Sequence, residues 1–359
     1  MSEKIDQYRN KIDSIDDQIL KLLSKRGECA LAIGKLKGKE GAAIHVPARE
    51  KNIFDRLIQT NPGPYKPEGI QSIFREIISA TRAVEAPVRV AFLGPEATFT
   101  HMAAVKYFGS SSQMLPVKSI QAIFEDVEKG HSDYGVVPIE NSSEGVVSHT
   151  LDMFANSNLK VCGEMVLRVS HHLLSHETDL NAIKVVYSHP QALAQCRNWL
   201  ANHLPHVVLK ETESTAMAAK LAAEENGVAA IASEIAASVY QLPVLEQSIQ
   251  DQTQNYTRFL VIGTHAAGKT GGDKTSILFV ARDEVGALYK ILGPLAKAKV
   301  NLSKIESRPL KKKAWEYMFF VDLDGHAEDK RIAKALEEVK KRCSIFKILG
   351  SYPKSAVVA

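Results

Sequence analysis

The sequence predicts a multidomain chain with an all-α segment, then an α/β segment, then a smaller α+β segment. Three patterns predict this order: a heptad-like repeat near the start, alternating strand and helix signatures after Pro87, and a βαββαβ order near the end. A length of 359 residues fits two or three domains. The predicted boundaries are 1–86, 87–264 and 275–359, with a Gly- and Lys-rich linker at 265–274.

The composition is that of a globular protein. Hydrophobic residues make up 45% and charged residues 24%, which excludes wholesale disorder. No run approaches the roughly 20 apolar residues of a membrane span, and the acidic N-terminal stretch is unlike a signal peptide. Four widely spaced cysteines without a C-x-x-C argue against a disulfide framework or a zinc site. We therefore expect a cytoplasmic protein without a membrane partner.

The net charge of +4 is unevenly distributed along the chain. Lys and Arg number 15 against 12 Asp and Glu in residues 1–86, 11 against 18 in 87–264, and 19 against 11 in 265–359. The basic run Lys311–Lys313 in this tail has no aromatic residues arranged around it for stacking, which favours a solvated loop over a nucleic-acid site. No nucleic-acid partner is expected.

Residues 2–37 are predicted to form one long helix. Apolar residues recur three and four apart from Ile5 to Leu36, but Arg26 stands where the repeat expects an apolar residue. A guanidinium on a buried seam is costly unless an anion meets it. A helix of this length needs a partner chain or returning helices, and helices are predicted over 47–60 and 67–85.

The basic residues of this helix are spaced too widely for one small ligand. Arg9 and Arg26 differ by seventeen residues, which is about 25 Å of helix. Two antiparallel copies would bring Arg9 of one chain toward Arg26 and Lys37 of the other. The spacing therefore favours a homodimer that binds an anion.

Two other patterns resemble a nucleotide-binding loop and a metal site, but their context does not favour either function. Residues 263–270 match the P-loop motif G-x-x-x-x-G-K-T, but a strand is predicted after them where a phosphate-binding loop needs a helix. His172 and His176, on a strand predicted over 166–174, would lie about 13 Å apart, too far to share a metal ion. His171, His172 and His176 are therefore predicted to be structural or hydrogen-bonding residues.

The first segment resembles the all-helical chorismate mutase family, an intertwined helical dimer. Arg9, Arg26, Lys37, Arg49-Glu50 and the closing run 73–85 carry the resemblance. It implies that Arg9 of one chain, with Arg26 and Lys37 of the other, holds the carboxylates and ether oxygen of chorismate. The remaining residues that it implies for this site are Val46, Glu50, Thr81 and Glu85.

Two positions depart from the commoner pattern of that family. Val46 stands where some members have an Asp, so it offers only backbone and shape. Glu85 stands where some have Gln, and it can donate to the ether oxygen only when protonated. The rearrangement needs no nucleophile and no cofactor, so the implied catalytic groups are Lys37 and Glu85.

The middle segment resembles prephenate dehydratases over its whole length. The matching motifs are residues 90–101, 138–145, 188–196 and 255–259. The family fold has two α/β lobes like a type II periplasmic binding protein, with the substrate in the cleft. The resemblance implies that Thr257 is the catalytic proton donor, and the implied prephenate-binding residues are Glu140, Asn141, Ser188, Gln195 and Arg258.

The last segment resembles the ACT regulatory domain, with its ferredoxin-like α+β fold. Gly286-Ala287-Leu288 and Glu306-Ser307-Arg308-Pro309 carry the resemblance. It implies that phenylalanine binds there, at an interface between two ACT domains, and inhibits the dehydratase.

The resemblances together predict a bifunctional enzyme that converts chorismate through prephenate to phenylpyruvate. They imply neither a cofactor nor a metal, and a homodimer or larger homo-oligomer. Two alternatives stay open on the sequence alone. One is a dehydratase that prefers arogenate, and the other is a non-catalytic sensor of small molecules.

Overall fold

The computed structural model describes residues 2–40, 45–282, 284–309, 316–355 and 357–358, without the side chains of 2, 37–40, 357 and 358. The chain divides into two units. The first is Met1–Val88 with Phe108–Gln113, and the second is Arg89–Tyr107 with Met114–Ala359. No helix among the described residues is long and apolar enough to cross a membrane.

The first unit is helical, as predicted. Pro47 and Pro67 occupy the first turns of the second and third helices, where a missing amide hydrogen costs nothing. The third helix buries Ile70 and Ile78, whereas the first helix exposes most of its apolar residues. The helices are α1 Ser2–Glu40, α2 Pro47–Thr60 and α3 Pro67–Glu85.

The second unit begins with an α/β lobe built on a mixed sheet. The order of its main strands is β2-β1-β3-β11-β5-β16, with β4 beside β3. Strand β11 returns from the second lobe and lies antiparallel between β3 and β5. The elements are β1 Arg89–Leu93, α4 Phe99–Phe108, β2 Gln113–Val117, α5 Ile120–Glu128, β3 Tyr134–Asn141, β4 Gly145–Val146, α6 Ser148–Asn156, β5 Lys160–Arg168, β11 Tyr256–Gly263 and β16 Val357–Val358.

A second α/β lobe is inserted between β5 and β11. Its sheet has the order β10-β6-β9-β7-β8. The strands are β6 His172–Leu174, β7 Val185–Ser188, β8 Val208–Glu211, β9 Val228–Ala232 and β10 Val244–Glu246. The helices are α7 Pro190–Gln195, α8 Arg197–His203, α9 Thr215–Glu224 and α10 Glu234–Tyr240, with a 3₁₀ turn at Leu180–Ala182.

The chain passes between the lobes twice, at residues 169–171 and 247–255. The Val169 amide donates to the Asn255 carbonyl at 2.8 Å, and the Ile249 amide donates to the His171 carbonyl at 2.8 Å, so the two crossings run side by side. The continuous strand predicted over 166–174 is therefore wrong. The two-lobed architecture is confirmed.

The C-terminal part has the predicted βαββαβ order. Its antiparallel sheet runs β13-β14-β12-β15. Strand β12 follows β11 after a short connection, so no helix follows residues 263–270 as a P-loop would require. The elements are β12 Asp273–Ala281, α11 Ala287–Lys297, β13 Leu302–Pro309, β14 Tyr317–Asp324, α12 Lys330–Lys340 and β15 Cys343–Pro353.

The two faces of this sheet bury different partners. One face packs on α11 and α12 around Phe279 and Leu336. The other contributes Phe320 and Tyr352 to the core of the first lobe, where Phe320 approaches Phe154 at 6.3 Å between ring centroids. The C-terminal sheet and the first lobe therefore share one hydrophobic core.

Candidate active sites

Arg26 of α1 is turned toward α3 in the helical unit. Its guanidinium contacts the Thr81 hydroxyl and donates to the Ile77 carbonyl oxygen at 3.3 Å. Partial burial lowers the pKa of Arg26, and the nearby carboxylate of Glu50 opposes that shift. The cation that interrupts the apolar repeat thus lies in a polar pocket of its own chain.

Glu50 of α2 is a buried acid among cations. Its Oε1 accepts from Arg82 Nη1 at 2.9 Å and lies 3.6 Å from His45 Nε2. Burial raises the pKa of Glu50, although Arg82, Arg75 and Arg26 each act to lower it. Three guanidinium groups around one carboxyl leave a net positive pocket, which suits an anionic ligand.

The other residues predicted for the mutase site are Val46, Glu85, Arg9 and Lys37, and they occupy different parts of the helical unit. Val46 is the N-cap residue of α2. Glu85 packs against α1, where a Cβ added at Gly34 would lie 2.4 Å from Glu85 Cγ. Arg9 is exposed and pairs with Asp6 at 3.2 Å, and the side chain of Lys37 lies outside the described residues.

A cavity of about 240 Å³ lies between the two lobes of the second unit. Helices α4 and α9 begin at this cavity, with Phe99 and Thr215 on its wall. Unpaired amide hydrogens and the helix dipole favour an anion at such positions. The polar side chains that line the cavity include Thr98, Asn141, His171, Gln195, Asn255 and Thr257.

Thr257 and Asn141 face each other across the β11–β3 pair. Asn141 Nδ2 donates to Thr257 Oγ1 at 2.8 Å. The described residues provide no acceptor for the Thr257 hydroxyl hydrogen. That hydrogen is therefore available to a ligand in the cavity.

Gln195 and Asn255 extend this network to a histidine that the sequence did not assign to the site. Gln195 Oε1 accepts from Asn255 Nδ2 at 3.1 Å and lies 2.8 Å from His171 Nε2. Burial lowers the pKa of His171. The sequence predicted this residue to be structural or hydrogen-bonding, without a place in the active site; the missing signal was that it lies at a crossing between the lobes. Among the described residues, no group of three or more His, Cys, Asp or Glu side chains is arranged to bind a metal.

The remaining predicted prephenate residues point to other partners. The buried Ser188 hydroxyl donates to the Ile231 carbonyl at 2.7 Å, and Glu140 pairs with Lys304 at 2.6 Å. Arg258 is buried against Glu164 and Asp322, at 2.8 and 2.5 Å. Since adjacent residues of a strand face opposite sides, Arg258 points away from the cavity that Thr257 lines. The interpretation of Arg258 as a carboxylate ligand therefore lacks geometric support.

The two C-terminal motifs lie at separate, partly exposed positions of the domain. Gly286 is the N-cap of α11 with a φ of 74°, and Ala287 and Leu288 follow it at the helix start. Glu306–Pro309 end the edge strand β13. Within this run, Arg308 contacts the Ser148 hydroxyl and donates to Asp152 at 3.3 Å.

These features define a class of protein. The chain combines a helical unit that has a cationic pocket with a two-lobed unit whose cleft is lined by hydroxyl and amide groups, and with a ferredoxin-like sheet. This combination is that of a multidomain enzyme for small anionic metabolites. Family models match all three parts: chorismate mutase type II over residues 8–86, prephenate dehydratase over 90–267, and the ACT domain over 275–341.

The chain is 49% identical over 357 residues to the bifunctional chorismate mutase/prephenate dehydratase of Aquifex aeolicus, covering 98% of this chain and 99% of that one. The prephenate dehydratase of Arthrobacter aurescens, solved in complex with L-Phe, is 36% identical with a TM-score of 0.68, covering 76% and 93%. A structure described as GqqA, a quorum-quenching acylase, is 29% identical with a TM-score of 0.69, covering 74% and 97%.

The chain belongs to the family of bifunctional chorismate mutase/prephenate dehydratases. It is accordingly an enzyme with a mutase domain, a two-lobed dehydratase domain and a C-terminal ACT domain.

Proposed function

We propose that the pocket around Arg26 rearranges chorismate to prephenate, and that the cleft around Thr257 converts prephenate to phenylpyruvate. The division into domains at 1–86, 87–264 and 275–359, with a linker at 265–274, belongs to the same proposal. The observation that carries the dehydratase assignment is the Thr257 hydroxyl, which accepts from Asn141 and keeps its own hydrogen for a ligand.

The dehydratase reaction needs a proton at the departing hydroxyl. Thr257 donates it as the ring C–O bond breaks. The bond between the ring and its carboxylate breaks at the same time, its electron pair moves into the ring, and CO₂ leaves. The Asn141 N–H stabilises the charge left on Thr257 Oγ1, and solvent returns the proton. Each turnover takes up one proton and releases one CO₂ and one water, and aromatisation drives it.

Asn141 and Gln195 act in this scheme through the cleft's hydrogen-bond network, and the starts of α4 and α9 bind the carboxylates of prephenate. Glu140 and Ser188 are supporting groups, since each already has a protein partner. Arg258 holds β11 in position and does not bind the substrate carboxylate.

The mutase reaction needs a compact substrate conformer and a cation at the ether oxygen. Arg26 and Lys37 supply charge, and the protonated form of Glu85 donates a hydrogen bond to the ether oxygen. Val46, Glu50 and Thr81 complete the wall of the pocket.

Arg9 comes from a second copy of the chain, so the mutase site is complete only in a homodimer or larger homo-oligomer. Support comes from the apolar residues that α1 exposes, with Ile12 and Leu22 being 55% and 65% exposed. An antiparallel copy of α1 would cover them.

Phenylalanine regulates the dehydratase by binding between two ACT domains. The effector contacts are Gly286, Ala287 and Leu288 from one domain, and Glu306, Ser307, Arg308 and Pro309 from the other. Support comes from the partial exposure of both motifs, since Gly286, Ser307 and Pro309 are exposed and β13 is an edge strand.

A coupled ultraviolet assay tests the function. Purified protein should consume chorismate and form phenylpyruvate, and phenylalanine should slow the second step. Faster turnover of arogenate than prephenate would favour the amino analogue. Binding of prephenate or arogenate without turnover would indicate a sensor. Hydrolysis of an N-acyl amide without dehydration of prephenate would favour the activity described for the acylase.

A further inference from the structure

A run of side-chain amides in the dehydratase cleft has a fixed direction. Asn141 Oδ1 accepts the backbone N–H groups of Ser143 and Glu144 at 2.9 and 3.0 Å. Only the oxygen of an amide can accept these bonds, so Asn141 Nδ2 is the donor toward Asn255 Oδ1, at 2.9 Å, and toward Thr257. The backbone N–H groups of Ser143 and Glu144 therefore determine the orientation of the Asn141 amide and, through it, that of the Asn255 amide.

The directions of these hydrogen bonds also determine which ring nitrogen of His171 carries a hydrogen. Because Asn255 Oδ1 accepts from Asn141, its Nδ2 donates to Gln195 Oε1. Gln195 Oε1 also faces His171 Nε2 at 2.8 Å. That ring nitrogen must carry a hydrogen, because Gln195 presents only lone pairs there. In the neutral imidazole the lone pair is then on Nδ1.

His171 Nδ1 has no hydrogen-bond partner among the described residues, and His171 is only 3% exposed. The residue lines the cavity that holds Thr257. Burial lowers the pKa of His171 and His172 lowers it further, whereas the bond to Gln195 raises it. The lowered pKa keeps the His171 ring neutral near pH 7. His171 Nδ1 is then a buried hydrogen-bond acceptor in the cleft that lacks a donor among the described residues.

Prephenate offers one donor to such an acceptor. Its two carboxylates and its ketone only accept hydrogen bonds, whereas its ring hydroxyl also donates. We propose that His171 Nδ1 accepts the hydrogen bond of this hydroxyl and thereby turns an oxygen lone pair toward Thr257. The inference rests on the proposed dehydratase function and adds a substrate-contacting residue to it.

The contact fits the proposed step. An acceptor on the hydroxyl hydrogen makes the hydroxyl oxygen more basic, so the proton of Thr257 is transferred more readily. The oxygen leaves as water, with one hydrogen of its own and one from Thr257. His171 itself neither gains nor loses a proton in the step.

A pair of substitutions separates the two ring nitrogens. His171→Gln keeps a donor near the position of Nε2 for Gln195 but removes the acceptor at Nδ1. His171→Asn keeps an acceptor near Nδ1. We expect kcat/KM for prephenate to fall about 10- to 100-fold in His171→Gln, with partial recovery in His171→Asn.

Product binding and pH provide readouts that a purely structural role would not move. Phenylpyruvate lacks the ring hydroxyl, so its inhibition constant should change less than threefold in His171→Gln. The wild-type kcat/KM should fall at acidic pH as His171 gains a proton, and His171→Gln should lose that limb. His189 and Glu213 also line the cavity and His172 lies beside His171, but all three residues are the same in both proteins.

His172→Gln is the matched control, because His172 is the neighbouring ring and contacts the Ser248 amide instead. It should retain the wild-type rate at neutral pH and the acidic limb. Equal acidic limbs in wild type and His171→Gln, or product binding weakened as much as kcat/KM, would overturn the inference. Absence of dehydratase activity in the wild type would instead overturn the proposed function.

Discussion

Arg258 donates to the Asp322 carboxylate at 2.5 Å, which joins strand β11 of the dehydratase lobe to strand β14 of the ACT domain. The guanidinium also donates to Glu164 at 2.8 Å and to the Tyr352 hydroxyl at 3.0 Å. Burial acts to lower the pKa of Arg258, but Tyr352, Asp322 and Glu164 outweigh it and raise the pKa. The residue after the proposed proton donor is thus held by the regulatory domain.

Asp322→Asn should destabilise the dehydratase–ACT unit by about 3–5 kcal/mol, because it removes the negative charge that pairs with the buried Arg258 guanidinium. Tyr352→Phe removes one neutral hydrogen-bonding group of the same cluster and should cost about 1 kcal/mol. Thermal unfolding of the two variants measures the difference. Equal melting temperatures would mean that the ion pair contributes nothing beyond its neighbours.

Thr257→Val should lower the dehydratase kcat by about 10²–10⁴-fold, because it removes the hydroxyl and keeps the branched shape. Thr257→Ser retains a hydroxyl and should keep most of the rate. Mutase activity should be unchanged in both variants, which makes it the internal control for folding. A Thr257→Val enzyme with near wild-type dehydratase activity would refute the assignment of Thr257.

Glu85→Gln should flatten the pH dependence of the mutase. A carboxyl group can donate a hydrogen bond to the ether oxygen only in its protonated form, so the proposed role makes the mutase rate depend on pH. The amide of Gln donates at every pH. The measurement is kcat/KM for chorismate from pH 4 to 9, and the same profile in both proteins would contradict this role.

Gly350→Ala should lower the melting temperature, because the new Cβ would lie 2.1 Å from the Val161 carbonyl oxygen. The ACT sheet would have to move off β5, at a cost of about 1–3 kcal/mol. Gly293→Ala is the matched control within α11, where a Cβ meets nothing within 4 Å. It should stabilise by about 0.5–1 kcal/mol. A reversed order would contradict the close approach of the two sheets.

Ile15→Glu should dissociate the proposed dimer through α1, since Ile15 is 53% exposed on the apolar face of that helix. Sedimentation should report a smaller particle, and mutase activity should fall at least tenfold because Arg9 no longer reaches the second site. Dehydratase activity measured without phenylalanine should persist. Asp13→Glu, a conservative change on the same helix, should leave assembly and both activities unchanged.

Local patterns predicted most of the elements. The helices over 47–60 and 67–85 match α2 and α3 at both ends, because proline starts each of them and their apolar spacing is regular. The strand predicted over 166–174 failed for a physical reason. Its apolar residues are buried on both sides of Val169–His171, so the pattern hides the point where the chain crosses between lobes.

The site was predictable where motifs carry it. Thr257, Asn141 and Gln195 come together in one cavity, and Arg26, Glu50 and Thr81 come together in another part of the chain. The sequence could not show that Arg258 is paired with Glu164 and Asp322, because a free and a neutralised guanidinium look alike in a sequence. His171 was predicted to be a structural or hydrogen-bonding residue, but a sequence does not record which of its two ring nitrogens contacts Gln195.

The sequence by itself determined the order of the three domains, the family and the residue types that the chemistry needs. These properties depend on spacing along the chain, which a sequence records. Only the tertiary structure decided which polar groups are already satisfied and which remain available. That distinction arises because hydrogen bonds between residues far apart in the chain, such as Arg258 with Asp322 and Gln195 with His171, depend on distance and direction in space.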